Sequence, residues 1–170
     1  LPGSYAHAFR WTMALCGALA LVLLVRTLCV AGASRRRVAV AAATVAVSPL
    51  LVGPIFLNAY DLFPALLTAA ALLAFVDRRE RTTYVLLALA VAAKVYPFVL
   101  LPVVGVATWQ RGGKELLRRG LMWFAGVLIA VHLPFAALGP GGLRFSYWSQ
   151  VKRGLEVESL GGAVLLVMDR

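Results

Sequence analysis

Charge is scarce in this chain of 170 residues. Lys, Arg, Asp and Glu supply 14% of it, where a soluble domain carries roughly 25%. Hydrophobic residues make up 62%, against about 45–50% in a soluble domain. That balance excludes an ordinary water-soluble globule, and it excludes a disordered chain, which stays unfolded by being polar. Acidic residues are the scarcest charged type, at seven against 17 Lys and Arg. Cysteine is nearly absent. Cys16 and Cys29 share one apolar segment, about 20 Å apart along a helix, so they cannot bridge each other there and read as small core hydrophobes. They give no argument for a redox compartment. Histidine is limited to His7 and His132, neither with a partner at ligand spacing, so no metal site is expected. A glycine-rich nucleotide loop and a Ser/His/Asp arrangement are also missing, and no cofactor is expected.

Long apolar runs are what the chain does have, and its mean hydropathy is +0.87. A hydrocarbon core of about 30 Å takes about 20 apolar residues per helix, and such stretches recur. The reading is therefore an all-α, polytopic membrane protein. Helices are expected at 11–30, 38–57, 62–76, 83–93, 97–108 and 121–138, with a further one starting at 160 and cut off at 170. Because a new apolar run has just begun where the sequence ends, we expect a piece of a longer membrane protein. The net charge of +10 has a simple cause in such a protein. Basic residues gather in cytoplasmic loops and orient the spans. The basic runs lie between apolar segments, so nucleic acid is not an expected partner.

The charge pattern also fixes a topology. With Arg35–Arg37 in the cytoplasm, the span 38–57 exits, Asn58–Asp61 lies outside, and 62–76 returns to a basic loop at Arg78–Arg81. If 83–108 were one span, Arg111, Lys114, Arg118 and Arg119 would lie outside, against the rule. Two short helices turning at Lys94-Val95-Tyr96-Pro97 restore it and place ten of the 17 basic residues in three cytoplasmic loops. Pro97 disfavours helical geometry at Tyr96. Each arm is about 16 Å long, too short to span, so the turn sits within the depth of the bilayer, where protein or water must satisfy its backbone. Lys94 lies at that turn. An ammonium at membrane depth is costly and marks a functional site. The alternative is a lysine snorkelling to the interface.

On this topology the outer face collects Asp61, Lys94, Arg144, Lys152, Arg153, Glu156 and Glu158, with Tyr60, Tyr96, Tyr147 and Trp148. Cations suit a phosphate headgroup. They also stabilise the phosphate that leaves when a sugar is transferred from a lipid-phosphate donor. A carboxylate can deprotonate the acceptor hydroxyl. The energy resides in the sugar–phosphate bond, so no nucleotide cradle is needed. Tyr96 suits sugar stacking or donation to phosphate, or else an interface belt. Asp61 suits the site, or else the N-cap of the helix that follows it. Arg144 and Lys152 suit lipid headgroups, and His132 a buried core position.

Three stretches carry a resemblance. Ala93-Lys94-Val95-Tyr96-Pro97-Phe98, placed after an apolar helix and before Leu100-Leu101-Pro102, is similar to the K-hydrophobic-Y-P motif of polyprenyl-phosphate-mannose-dependent glycosyltransferases of the GT-C fold. Tyr60-Asp61-Leu62-Phe63-Pro64-Ala65-Leu66-Leu67 is similar to the F/Y-D-x-x-P-A-L segment of glycosyltransferase family 87. Arg153-Gly154-Leu155-Glu156-Val157-Glu158-Ser159-Leu160 is similar to that family's R-G-L-Q-x-E-S-L segment, with Glu156 where Gln is usual.

The resemblance implies a polytopic transmembrane helical bundle of GT-C type with a short re-entrant-like helical hairpin. It implies a multi-pass protein of the plasma membrane with an extracytoplasmic active site. The activity implied is transfer of a hexose, mannose above all, from a polyprenyl-phosphate-linked donor to a lipid or glycan acceptor. Lys94, Tyr96, Arg153, Glu158 and Ser159 would bind substrate. The family's usual catalytic aspartate lies in a first outer loop upstream of Leu1, so the piece alone is expected to be inactive, with Asp61 as the substitute candidate. For Glu158 and Ser159 the alternative is capping of the last helix. For the whole protein it is a lipid-linked sugar transporter or binding membrane protein without catalysis.

Overall fold

The computed structural model describes residues 2–52 and 60–152. The expected helix at 160–170, the end of the one at 38–57, and Arg153, Glu158 and Ser159 lie outside the described residues. Within them all regular structure is helical and no strand occurs. Six α-helices are seen: α1 (Pro2–Val30), α2 (Arg35–Val52), α3 (Leu62–Val76), α4 (Glu80–Ala93), α5 (Leu100–Leu138) and α6 (Pro140–Lys152), with a 3-10 turn at Tyr96–Val99 between α4 and α5.

Several boundaries differ from expectation, each for a local reason. Helix α1 starts at Pro2, not at 11. Proline is well placed at a first helical position, and the polar residues of 3–10 can end a membrane span without ending a helix. Helix α2 starts at Arg35, where the Arg37 amide donates to the Ser34 hydroxyl at 3.4 Å. Helix α4 starts at Glu80, whose negative charge suits a helix N-terminus. The basic stretch 109–120, expected as a loop, is helical except at Gly112 and Gly113. Its Lys, Glu, Leu and Arg are good helix formers. The break comes from the glycines, since Gly113 has φ of 71°, a region that L side chains avoid. The stretch after Gly139, also expected as a loop, is helix α6. Gly139 interrupts the helix and Pro140 opens the next one, the position where proline fits best.

Two helix ends close in the same way. After α1, the amides of Gly32 and Ala33 donate to the carbonyls of Cys29 and Leu28 at 3.0 and 2.9 Å. After α3, the amides of Arg78 and Arg79 donate to Phe75 and Ala74 at 3.2 and 2.8 Å. This cap requires a left-handed residue. Gly32 supplies it at φ 76° without strain, whereas Arg78 is forced to φ 60°.

The chain forms two compact units, Leu1–Ile129 and Ala130–Arg170. In the first, α1 packs on α2 and α3, α3 packs on α4, and α4 packs on the 3-10 turn. Its core joins Ala71 of α3, Tyr84, Leu87 and Ala88 of α4, and Val104 and Phe124 of α5. Small residues let helix backbones approach closely. Gly120 shows this most sharply: a Cβ there would lie 2.2 Å from the Tyr84 ring. The two arms of α5 on either side of Gly112–Gly113 fold back on each other, with Leu117 against Gly105, and the Phe124 ring of the second arm lies 6.5 Å from that of Phe98 in the 3-10 turn. Cys16 is buried, as expected, but Cys29 is exposed on the last turn of α1. In the second unit, Arg144, Phe145 and Trp148 of α6 are exposed, and His132 is half-buried, not enclosed in a core.

Two helical stretches, Gly3–Val30 and Tyr96–Leu138, are long and apolar enough to cross a membrane. Only 11% and 6% of their most apolar windows are buried inside the protein. A core helix of a water-soluble protein would be mostly buried. These helices instead turn apolar side chains outward, as a lipid-facing surface requires.

Candidate functional site

The site forms where α3 begins and α4 ends. Helix α4 stops at Ala93, and Lys94 takes an extended conformation (φ −156°, ψ 141°). The chain then turns through Tyr96–Val99, with Pro97 buried in the turn. Proline lacks an amide donor and restricts the residue before it, so the break is encoded locally. It leaves late carbonyls of α4 without helical partners. One finds its donor across the fold: the Tyr60 hydroxyl donates to the Ala93 carbonyl at 2.9 Å. That bond ties the start of α3 to the end of α4.

Beside this tie, the Lys94 ammonium donates to Oδ1 of Asp61, forming an ion pair across 33 residues of sequence. The Asp61 side chain makes no capping hydrogen bond to α3, although the residue occupies the N-cap position. One oxygen of its carboxylate is engaged by Lys94 instead. The ammonium also lies 5.7 Å from the centre of the Tyr60 ring, within range of a cation–π attraction. Tyr96 lies near both Asp61 and Lys94, with the Thr68 side chain beside its hydroxyl. Thr68 in turn donates to the Pro64 carbonyl at 2.7 Å.

Of the sequence-predicted residues, the fold thus brings Asp61, Lys94 and Tyr96 together. Tyr60 and Thr68 were not singled out as site residues. Thr68 had a readable signal: it lies seven residues after Asp61, hence on the same face of α3. Tyr60 had one too, as the residue before Asp61 on the outer face, but its partner, a backbone carbonyl, was not readable from the sequence.

The pair remains open to a ligand, with the Lys94 and Asp61 side chains 43% and 51% exposed. An ammonium has three N–H donors, and Asp61 occupies one. Phe63, Val95 and Val99, within a few residues of the charges in sequence, are exposed. A small polar centre with an apolar rim suits a ligand that is itself a charged head on a hydrocarbon chain.

The other end of α4, about 20 Å away, is tied down differently. Arg111 donates to the Phe75 carbonyl at 3.0 Å, lies 3.9 Å over the Phe75 ring and sits 3.6 Å from Glu80. Thr108 donates to Glu80 at 3.4 Å. This cluster fastens α5 to α3 and α4, and so fixes the hairpin that presents Lys94. Groups of three or more potential metal ligands are absent among the described residues.

Comparison with curated proteins and with solved structures gives no match for this chain. The sequence model of Glycosyltransferase family 87, however, matches residues 2–162. That stretch contains Asp61, Lys94 and Tyr96, and covers nearly the whole sequence: the chain belongs to glycosyltransferase family 87.

Proposed function

We propose that the protein is a multi-pass glycosyltransferase of the plasma membrane. It transfers a hexose, mannose in the first place, from a polyprenyl-phosphate donor to a lipid or glycan acceptor on the extracytoplasmic face. The observation that carries this reading is the Asp61–Lys94 pair at the break between α4 and the 3-10 turn. The three stretches similar to family 87 transferases and the match to the family support it.

The donor phosphate takes the remaining Lys94 donors, and its polyprenyl chain lies along the apolar rim. Transfer breaks the bond between the anomeric carbon and the phosphate oxygen, which leaves with the electron pair. The acceptor oxygen forms the new bond through an oxocarbenium-like state with inversion, by analogy with glycosidases. Negative charge grows on the phosphate as it leaves, and the ammonium stabilises it more than it stabilised the bound donor. The acceptor proton passes to a carboxylate. Asp61 is the carboxylate beside Lys94, and the resemblance implies a second one in an upstream loop. Arg153, Glu158 and Ser159 complete the substrate site in this reading.

The test replaces Lys94 by Met in the full-length protein, reconstituted in vesicles with a polyprenyl-phosphate-mannose donor. Loss of one charge-stabilising donor costs roughly 100- to 1,000-fold in kcat, and Lys94→Arg is expected to retain part of it. Undiminished transfer by a folded, inserted Lys94→Met protein would remove Lys94 from the mechanism. Movement of lipid-linked sugar without transfer by the wild type would favour a transporter. Labelling of a cysteine placed at Gly112 checks the topology and is expected only from the cytoplasmic side.

A further inference from the structure

The second arm of α5 carries a groove that the transfer reaction does not use. Lys114, Leu117, Arg118, Leu121, Met122 and Ala125 line an open cavity of about 380 Å³. Their spacing places all six on one helix face. Along that face Lys114 and Arg118 come first, with Leu117 between them, and Leu121, Met122 and Ala125 follow, the Met122 sulfur accepting from Arg118 at 3.5 Å.

The cations are arranged to receive an anion. Glu115 accepts from Arg118 through two nitrogens at 2.9 Å and from Arg119 at 2.8 Å. That fork holds the Arg118 guanidinium in place, and with a third N–H given to the Met122 sulfur at 3.5 Å it leaves two of the five N–H groups. Lys114 makes no ion pair among the described residues. The segment therefore has four cations for one local carboxylate, with Arg111 engaged by Glu80. Exposed tryptophans flank it: Trp109 in the first arm, and Trp123, whose ring lies 4.0 Å under Arg81. Tryptophan rings beside clustered cations mark the boundary between headgroups and hydrocarbon.

We infer that this face holds one anionic phospholipid, its phosphate on Lys114 and Arg118 and an acyl chain along Leu121, Met122 and Ala125. The order of charge and hydrocarbon along the helix is that of the lipid itself. A second copy of the chain is a poorer occupant, because the whole sequence has seven acidic residues to offer. Anionic lipids concentrate in the cytoplasmic leaflet, where a basic segment gains about fivefold in binding per Lys or Arg. The inference needs the chain to lie in a bilayer but not to transfer sugar, so it can fail while the transferase reading stands.

The test uses the full chain in neutral detergent with equal amounts of phosphatidylglycerol and phosphatidylcholine of the same acyl composition, with retained lipid counted by native mass spectrometry. Phosphatidylglycerol is expected to be retained preferentially. Lys114→Gln with Arg118→Gln should weaken that retention roughly 25-fold, at about fivefold per cation. Ala125→Trp fills the groove without changing charge and should weaken it as well. Arg35→Gln with Arg36→Gln removes the same charge from another exposed basic run and should weaken retention far less, and millimolar inorganic phosphate should leave it unchanged. Equal retention of the two lipids, equal losses from the two double variants, or displacement by inorganic phosphate would overturn the inference. So would an Ala125→Trp protein that binds lipid like the wild type, or one whose only change is the loss of self-association.

Discussion

Replacing Gly120 by Ala drives a methyl group into the Tyr84 ring. The added Cβ would lie 2.2, 2.6 and 2.6 Å from three ring carbons, so one partner must move by more than 1 Å to reach van der Waals contact. Tyr84 is fully buried and held between Leu87, Ala88, Val104 and Phe124, which leaves its ring nowhere to swing. Overpacking costs about 1–3 kcal/mol, and with a fully buried ring in the way the upper part of that range, about 2–3 kcal/mol, applies. A helical Gly→Ala change returns about 1 kcal/mol of propensity, for a net loss of about 1–2 kcal/mol. The control is Gly126→Ala, six residues on in the same helix. Nothing lies within 4 Å of its added Cβ, so only the gain of about 1 kcal/mol remains. For a chain of this size 1 kcal/mol moves Tm by about 2–4 °C. Thermal unfolding in detergent, followed by helical circular dichroism, should show Gly120→Ala about 2–8 °C below wild type and Gly126→Ala about 2–4 °C above it. If the two shifts share a sign, or Gly120→Ala is neutral, the packing of α5 against α4 is not as described.

Three further outcomes follow from local geometry. Arg78→Gly relieves a left-handed arginine at φ 60° and should raise stability by about 1 kcal/mol, read as a rise in Tm. Tyr60→Phe deprives the Ala93 carbonyl of its donor. It should cost about 1 kcal/mol in stability, and because the bond orients the turn that carries Lys94, sugar transfer should fall by more than the folded fraction does. On the proposed topology, Glu115 lies in a basic segment outside the bilayer. Arg118 and Arg119 hold its carboxyl at about 2, below its ordinary 4.5. A depressed carboxylate stabilises the fold above its ordinary pKa, and that contribution disappears as pH falls from about 4.5 through 2. Across that range wild-type Tm should fall further than that of Glu115→Gln, while above pH 6 the two should run parallel.

Helix α3 is the element where sequence and structure agree residue for residue, at 62–76. Its apolar run is bounded on one side by Tyr60–Asp61 and on the other by Asp77-Arg78-Arg79, so polarity alone marks both ends. The break after Ala93 was equally legible, since Pro97 acts on its immediate neighbours. Other boundaries were misread because membrane polarity and helix propensity are separate signals. The residues of 109–120 are too charged for a span yet good for a helix, and only Gly112–Gly113 interrupts them. The stretch 140–152 reads as a loop by its glycines, but a proline at its first position starts a helix there.

The sequence by itself therefore determined the helical class, the apolar surface and the break that exposes Lys94, because each follows from composition or from residues a few positions apart. Only the tertiary structure decided that Lys94 meets Asp61, that Tyr60 caps Ala93, that Thr68 meets Tyr96 and that Gly120 seats Tyr84. Each of those contacts closes a loop between different helices, set by how α3, α4 and the second arm of α5 pack against one another. No local pattern specifies which side chain then faces which.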